Sequence, residues 1–219
     1  VYDYFSQLPG FIVRGTVRPN ELQDSYQSGN FFPFDASLPI LAQMETICSR
    51  FIPDYIINCI GIIKPYCRDT DPKGIVLAID VNARFPWKLS LAMSTLAPDS
   101  RIIQIATDCV FSGIQGNYNE LSQHDALDVY GKTKSLGEVI HENLLNLRCS
   151  IIGPEVFTSV SLLGWFLGRK DGDTVTGYQG HLWNGVTTLQ FAEYCYDIIM
   201  ESQFDALREK NHVLHYVPN

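Results

Sequence analysis

The sequence predicts an α/β fold with a doubly wound parallel β-sheet, covered by helices on both faces. Apolar strand-like segments alternate along the chain with segments of helical periodicity. The strand-like segments are continuously apolar, as strands buried on both faces of a sheet require. No internal repeat or low-complexity run interrupts this alternation. We predict strands over 11–17, 30–34, 53–63, 101–106 and 147–152, and helices over 40–51, 75–96 and 130–143.

Turn-forming residues bound these elements in order along the chain. Pro19-Asn20 ends the first strand, and Asp35 ends the second. The third strand contains the strongly apolar run Tyr-Ile-Ile-Asn-Cys-Ile-Gly at 55–61. Pro98-Asp99 separates the long second helix from the fourth strand. Several polar residues follow strands, and parallel sheets bind ligands at the carboxyl ends of their strands.

The C-terminal part of the chain is less regular in pattern. From about Gly153 onward it is rich in glycine and aromatic residues. We therefore expect a sheet domain over residues 1–152 and a small lobe over residues 153–219.

The composition argues against several classes of protein. With 219 residues, 46% of them apolar, the chain can bury a sizeable core. No apolar run reaches the length of about 18 residues that a membrane span needs. The net charge of −8 argues against a nucleic-acid partner, which usually requires a basic face. None of the six cysteines lies in a C-x-x-C pair, so we predict no metal site and reduced thiols, as in a cytoplasmic protein.

Tyr130 and Lys134 are the pair with the clearest chemical meaning. They lie four residues apart in a predicted helix, so their side chains share one face. A free phenol has a pKa of about 10, and acid–base chemistry near neutrality needs a drop of roughly three units, or about 4 kcal/mol. A nearby ammonium provides part of this drop because it favours the phenolate. Thr107, at the end of the fourth strand, could hold a substrate oxygen against the phenol.

Four segments carry a family resemblance. The run 102–113, I-I-Q-I-A-T-D-C-V-F-S-G, resembles a strand ending S-T-D-x-V-F-x-G, and the run 116–120 resembles G-x-Y-x-E. The run 128–138 resembles N-x-Y-G-x-[ST]-K-x-x-G-E, and the run 81–89 resembles V-N-A-x-x-P-x-x-L. In order and spacing they are similar to the extended short-chain dehydrogenase/reductases, and above all to the dTDP-4-dehydrorhamnose reductase-like, sugar-nucleotide-binding branch.

This resemblance covers about residues 54–155 and implies a Rossmann-type fold. The domain over 1–152 would bind a dinucleotide, and the lobe over 153–219 would bind the substrate. One family element has no counterpart, because neither G-x-x-G-x-x-G nor G-x-G-x-x-G occurs in the sequence. This Gly-rich turn lets the backbone approach the cofactor pyrophosphate. We expect it, with the first strand, on roughly 15–20 residues upstream of Val1; the alternative is a protein that lacks the turn and tight cofactor binding.

The resemblance implies catalytic roles for three residues. Tyr130 would protonate the substrate carbonyl oxygen as hydride arrives from NADPH or NADH. Lys134 would lower the pKa of Tyr130 and bind the nicotinamide ribose. Thr107 would hydrogen-bond the substrate oxygen; the alternative is an ordinary strand-end hydroxyl.

The resemblance also implies a set of cofactor contacts. Arg18 would meet the 2′-phosphate of NADP, which favours NADP over NAD; the alternative is a solvated arginine. Asp35 would lie beside the adenine ring, or else cap a helix. Asn82 would bond a backbone carbonyl near the site, or else lie on a helix surface. The remaining predicted contacts are the strand-end residues Asn58, Cys59, Ile60 and Gly61, together with Tyr130 and Lys134.

The resemblance also implies a set of substrate contacts. Asp108, Cys109 and Val110 follow Thr107, and Asp108 either contacts substrate or caps a turn. His181 and Trp183 could bind a nucleotide sugar or pack within the lobe. The family's tryptophan after the sixth strand is absent, and residues 180–188 replace its G-x-P-T element. These departures concern the substrate rather than the reaction type, and they favour another nucleotide-linked deoxysugar over rhamnose.

The expected function is NAD(P)H-dependent reduction of a keto group on a nucleotide-diphosphate deoxysugar, for surface polysaccharide synthesis. One alternative is a non-catalytic, NADP-binding regulatory subunit, and another is a nucleotide-sugar epimerase. Dehydration is disfavoured, because dehydratases usually carry Asp-Glu where this chain has Asp108-Cys109. The expected partner is a nucleotide sugar, with no nucleic acid or membrane, and a homodimer is left open.

Overall fold

The computed structural model describes residues 1–21, 29–155, 160–180 and 182–218. Its strands are β1 Gly15–Val17, β2 Phe31–Pro33, β3 Tyr55–Asn58, β4 Arg101–Thr107, β5 Leu144–Cys149, β6 Ile151–Ile152, β7 Val186–Thr187 and β8 Val213–His215. The pairings between these strands are all parallel. The main sheet has the order β3-β4-β5-β8, and β1-β2 and β6-β7 form two smaller sheets.

Helices connect and cover these strands. They are α1 Tyr2–Ser6, α2 Ile40–Cys48, α3 Pro72–Ala78, α4 Phe85–Leu96, α5 Val129–Leu136, α6 Leu162–Leu167, α7 Thr188–Met200 and α8 Phe204–Lys210. A π-helical segment, Ile79–Arg84, joins α3 to α4, and short 3₁₀ turns lie at Pro19–Glu21, Lys64–Tyr66 and Asp108–Val110. Within the described ranges no helix is long and apolar enough to cross a membrane.

The sheet separates two apolar cores. Successive side chains of a strand point to opposite faces, so the fully buried Ile102 and Ile103 of β4 enter different cores. Ile102 packs with residues of α2 and α4, including Met44 and Leu89. Ile103 packs with residues of α1, α7 and α8, including Phe191. The predicted parallel sheet with helices on both faces is therefore confirmed.

The predicted helix over 130–143 is shorter than expected. It ends at Leu136, and the Gly137 N–H closes it by donating to the carbonyls of Thr133 and Lys134. The chain then turns into the interior of the protein, where Glu138 and Val139 are buried. Strand β5 consequently begins at Leu144, three residues before the predicted 147–152 strand, which the structure divides at Ser150 into β5 and β6.

The C-terminal residues contribute to the main sheet. Strand β8 pairs with β5, aligning Arg148 with His215. Helix α7 begins with a capping box between Thr187 and Gln190 and buries an apolar face that includes Phe191. The sequence analysis missed this regularity. The division at residue 153 stays a prediction, but the residues from α7 to β8 do not lie apart from the first 152.

The β1-β2 sheet and the main sheet are not joined by strand pairing in the part of the chain described here. In the doubly wound strand order 3-2-1-4, the first strand lies between the second and the fourth. The strands β1 and β3 of this chain correspond to the second and the fourth, so a further strand belongs between them. This gap coincides with the family element that has no counterpart in the sequence. Its location upstream of Val1 stays a prediction.

Candidate active site

The motif residues meet at the carboxyl end of β4. Thr107 is the last residue of this strand, and its buried Oγ1 accepts a hydrogen bond from the Cys109 N–H at 3.1 Å. Tyr130 lies in the first turn of α5, and its hydroxyl lies near that of Thr107. The phenol and the strand-end hydroxyl are therefore neighbours in the fold, although 23 residues separate them in the chain.

Lys134 lies about one helical turn after Tyr130 and reaches toward the sheet. Its Nζ donates to the Ile105 carbonyl at 3.1 Å. On another side lies Gly61, where an added Cβ would be 3.9 Å from Nζ. The structure thus brings together four predicted residues: Thr107, Tyr130, Lys134 and Gly61.

The acid–base properties of the pair differ from the expectation. Burial raises the pKa of Tyr130, and the hydrogen bond with Thr107 opposes this without reversing it. Burial also lowers the pKa of Lys134. The net shift of the Tyr130 pKa is therefore upward, because burial disfavours the phenolate. The lowering of this pKa by Lys134 stays a prediction.

Asn82 lies buried in the π-helical segment rather than on a helix surface. Its Oδ1 accepts from the Ile62 N–H at 2.7 Å, and its Nδ2 donates to the Ile62 carbonyl at 3.0 Å. Nδ2 also lies 3.3 Å from Thr133 Oγ1 in α5. Asn82 therefore bonds a backbone carbonyl beside Gly61, which is the kind of contact the sequence predicted. Single π turns often occur at functional sites.

Two glycines let α5 approach the rest of the site. At Gly131 an added Cβ would lie 2.5 Å from Ala126 Cβ and 2.6 Å from the Cys109 carbonyl. At Gly137 it would lie 1.9 Å from the Asn82 carbonyl oxygen. Backbone therefore packs against backbone at both ends of α5, which requires glycine.

Two carboxylates cap the N-terminus of α5. Asp128 Oδ1 accepts from the Gly131 N–H at 2.7 Å, and Asp69 Oδ1 accepts from the Val129 N–H at 2.9 Å. Negative charge is favourable at a helix N-terminus. Lys64, in the loop after β3, lies 2.7 Å from Asp128 Oδ2. This ion pair connects that loop to the helix that carries Tyr130.

A buried amide ladder crosses the sheet below the site, and the sequence analysis missed two of its members. Asn58, Gln104 and Asn146 are aligned on β3, β4 and β5. Asn58 Nδ2 donates to Gln104 Oε1 at 2.9 Å, and Gln104 Nε2 donates to Asn146 Oδ1 at 3.1 Å. Gln104 Nε2 also donates to the Gly137 carbonyl at 2.7 Å. The signal in the sequence is one amide side chain within each apolar strand.

The other predicted cofactor residues lie at strand ends with local partners. Arg18 follows β1 and forms an ion pair with Glu21, with Nε 2.9 Å from Oε2. Asp35 follows β2, and its Oδ1 accepts from the Ser37 N–H at 2.9 Å, so it caps a turn before α2. After Asn58, Cys59 is exposed and Ile60 packs partly against the core beneath α2. Their cofactor contacts stay predictions.

The predicted substrate residues divide into two groups. Asp108, Cys109 and Val110 form the 3₁₀ turn after Thr107. The Val110 side chain is fully buried, so it presents no surface to a substrate.

The second group lies in the C-terminal part. Trp183 is half exposed, and its Nε1 donates to Ser150 Oγ at 2.8 Å. His181 lies outside the described residues.

The model of one protein family, the RmlD substrate binding domain, matches residues 30–152, more than half of the chain. The chain belongs to this family. The matched region contains Tyr130, Lys134 and Thr107, and it ends where β6 ends.

Two solved structures have a fold similar to that of this RmlD-type chain. A hypothetical dTDP-4-dehydrorhamnose reductase from Sulfolobus tokodaii is 21% identical, with a TM-score of 0.69 over 94% of this chain and 77% of that one. The dTDP-4-dehydrorhamnose reductase from Bacillus anthracis, solved in complex with NADP, is 17% identical, with a TM-score of 0.66 over 95% of this chain and 76% of that one. These likenesses establish the fold.

A third similarity is to a protein of a different kind. The methionine adenosyltransferase 2 subunit beta of Xenopus tropicalis is 30% identical over 104 residues, which are 47% of this chain. The match spans 30% of that relative's length.

Proposed function

We propose that this RmlD-type protein reduces a keto group on a nucleotide-diphosphate deoxysugar with hydride from NADPH or NADH, in surface polysaccharide synthesis. The observation that carries the proposal is the convergence of the Tyr130 phenol, the Thr107 hydroxyl and the Lys134 ammonium at the carboxyl end of β4. A proton donor and a hydroxyl that can hold the same substrate oxygen meet at the carboxyl edge of a parallel sheet, where such sheets bind ligands.

Tyr130 is protonated at neutral pH, because burial raises the pKa of its phenol, so it holds the proton that a reduced carbonyl oxygen must receive. The raised pKa also makes the phenol a weaker acid, so catalysis near neutral pH requires this pKa to fall when cofactor and substrate bind. Thr107 Oγ1 donates to Asp108 Oδ1 over a long 3.4 Å contact. A substrate oxygen can replace this weak acceptor. Thr107 would then orient the carbonyl against the phenol.

The residues beside Lys134 fit the nicotinamide half of a dinucleotide. Gly61 leaves backbone, rather than a side chain, facing Lys134 Nζ and Asn82 Oδ1. Tyr130, Lys134 and the backbone of Asn58–Gly61 would hold the nicotinamide ribose, and Arg18 and Asp35 would contact the adenosine half. The cofactor supplies the hydride when bound. The solved relative in complex with NADP favours NADP.

NADPH oxidation with a dTDP-4-keto-6-deoxyhexose tests the proposal, preceded by calorimetric measurement of NADPH binding. We expect binding and turnover, and Tyr130→Phe should lower kcat by about 10²-fold or more, because a positioned acid contributes about that much. The Tyr130→Phe variant should still bind NADPH. Tyr2→Phe is the matched control, since the Tyr2 ring packs at a tilt against Phe31 of β2, with the ring centroids 4.6 Å apart. Equal turnover by Tyr130→Phe and wild type would refute the catalytic role.

A second candidate is a subunit that binds a dinucleotide and a partner protein without turnover. The observation that favours it is the 30% identity to a protein named as a subunit of another enzyme. NADPH binding without oxidation of NADPH by any keto-sugar would support this candidate. Oxidation that depends on Tyr130 would exclude it.

A further inference from the structure

A buried ion pair lies behind the candidate site. Arg148 on β5 and Glu138 after α5 each have side chains only 3% exposed. They form a two-pronged pair, with Nε donating to Oε1 and a terminal guanidinium nitrogen donating to Oε2, both at 2.7 Å. Paired carboxylate and guanidinium groups of this geometry can be buried because each satisfies the other.

Two imidazoles complete the hydrogen bonding of this guanidinium. Arg148 lies 3.1 Å from His215 Nε2 on β8 and is also bonded to His124 Nε2. An arginine side chain can only donate hydrogen bonds, so both Nε2 atoms must be acceptors and both imidazoles must be neutral. His124 then carries its proton on Nδ1, which lies 2.6 Å from Ser135 Oγ.

The same groups enclose the ring of Phe111. The Arg148 guanidinium carbon lies 5.2 Å from the ring centroid. His124 and His215 contact the ring edge-on, with centroids 5.6 and 5.8 Å away. Tyr118 stacks on it at 4.3 Å. Phe111 is thus held by residues from β5, from β8 and from its own loop.

Phe111 is the residue that follows the turn containing Asp108 and Cys109. The Val110 carbonyl just before it accepts from the N–H groups of Asp125 and Ala126, which lead to the cap of α5. Holding Phe111 therefore holds both the Thr107 end and the Tyr130 end of the loop 108–128.

We propose that Arg148, His124 and His215 form a clamp on Phe111 that positions the loop between Thr107 and Tyr130, and that this clamp is intact only while both imidazoles are neutral. Protonation of either Nε2 turns an acceptor into a donor facing a donor and places two cations together. The loop then loses its anchor at acidic pH. His124 and His215 are positioning residues, and their effect on turnover rests on the proposed function.

The charged groups around the two imidazoles include some that raise the imidazole pKa and some that lower it. His124 faces Glu138 and Asp125, which raise its pKa, and Arg148 and His212, which lower it; burial is the largest effect, and the pKa is lowered overall.

His215 is arranged similarly. Glu120 Oε1 accepts from the backbone N–H of His215 at 2.9 Å. The carboxylates of Glu120, Glu138 and Asp108 raise the pKa of the His215 imidazole. Burial and Arg148 lower the pKa by more, so the net shift is downward. The carboxylates therefore do not remove the preference for the neutral form that the hydrogen bonds require.

Hydrogen exchange read by mass spectrometry tests the clamp on the whole chain without cofactor or substrate. Exchange rates of peptides covering 108–128 are compared at pH 7.5 and 5.5, after correction for intrinsic rates. At pH 5.5, one unit below the ordinary histidine pKa, we expect the opening of the loop 108–128 to increase by up to about tenfold for each imidazole. We call this increase the pH step. Peptides from β4 should show no comparable change.

His124→Gln with His215→Gln should abolish this pH step, because an amide oxygen can accept from Arg148 and does not titrate. His141→Gln should keep the step, since His141 bonds Asn143 outside the clamp. If the double variant loses β4 protection at pH 7.5, His215→Gln alone is used and should reduce the step. A wild-type loop without a pH step, or a step that survives in the Gln variants, overturns the proposal. Neither result depends on whether the protein binds NADPH.

Discussion

Asn82 and Ile62 exchange two hydrogen bonds, so that a side-chain amide pairs with a backbone peptide group as a neighbouring strand would. The Ile62 N–H donates to Asn82 Oδ1 at 2.7 Å, and Asn82 Nδ2 donates to the Ile62 carbonyl at 3.0 Å. The loop after β3 is thereby fixed to the π-helical segment. Gly61 and Lys134 are adjacent to this contact, so the geometry of the candidate cofactor site depends on it.

Asn82→Ala should lower the free energy of unfolding by about 2–3 kcal/mol. The substitution leaves the peptide groups of Ile62 without their partner, and a buried unsatisfied group costs about 1–3 kcal/mol. Urea unfolding at pH 7 measures the change. Asn20→Ala, at an exposed position, is the control and should change stability by less than about 0.5 kcal/mol. Equal stabilities of Asn82→Ala and wild type would contradict the structural role.

Gly137→Ala should destabilise the protein by about 1–3 kcal/mol, as overpacking usually does. The added Cβ would lie 1.9 Å from the Asn82 carbonyl oxygen, so backbone must move. Gly177→Ala is the matched control, because no atom lies within 4 Å of the added Cβ there. Thermal unfolding of the two variants gives the comparison, and a Gly137→Ala variant as stable as Gly177→Ala would show that α5 can shift freely.

Arg148→Met and Glu138→Gln should each destabilise by about 3–5 kcal/mol, because removing one member of a buried ion pair leaves the other unpaired. The double variant should lose clearly less than the sum of the two single changes. Chemical denaturation of all four proteins completes the cycle. Simple additivity would mean that the two side chains do not stabilise each other.

Lys64→Met should lower stability by at most about 1 kcal/mol at pH 7, as expected for a largely exposed ion pair. Burial raises the pKa of Asp128, but hydrogen bonds from Gly131 and Lys64 lower it by more, so it lies below its ordinary value. The contribution of Asp128 is thus present above a pH of about 4 and is lost as the pH falls through the lowered pKa.

The difference between wild type and Lys64→Met should therefore shrink between pH 5 and pH 3. Urea titrations across this range check the trend. Asp128→Asn should keep the helix cap, since Asn also caps well, and should abolish the effect of Lys64→Met. Lys73→Met, which removes an exposed lysine at the start of α3, should not reproduce the trend.

The Tyr130 phenol should remain protonated up to pH 10 in the protein without cofactor, because burial raises its pKa. A raised folded-state pKa contributes stability below the unfolded pKa of about 10, and this contribution is lost as the pH rises through the folded pKa. The tyrosinate absorbance difference between wild type and Tyr130→Phe measures the ionisation. A tyrosinate absorbance difference that appears near pH 8 would show that the effect of Lys134 on the Tyr130 pKa outweighs the effect of burial.

The fold was predictable because its signals are local. Continuous apolar runs ending at Asp35 or after Ala106 identify buried strands without knowledge of their neighbours. The spacing of Tyr130 and Lys134 likewise indicates one helix face. Helix α7 could also have been found, since Thr187 and Gln190 form a visible capping box.

The contacts between distant segments were not predictable in the same way. Gln104 is a single amide in an apolar strand, and only the register of three strands shows that it meets Asn58 and Asn146. Arg148 pairs with Glu138 because α5 ends at Leu136, whereas the helical pattern of the sequence predicted a helix that continues to residue 143. The pKa of Tyr130 depends on burial, which spacing does not measure.

The π-helical segment between α3 and α4 changes how positions along this long helix should be counted. Val81, Asn82 and Ala83 are three consecutive buried residues, and at 100° per residue an α-helix would spread them over about 200° of its circumference. A helical wheel drawn through residues 72–96 therefore assigns some of these side chains to the solvent. Alignments or designs that treat the segment as one uninterrupted α-helix will therefore be out of phase on one side of Asn82.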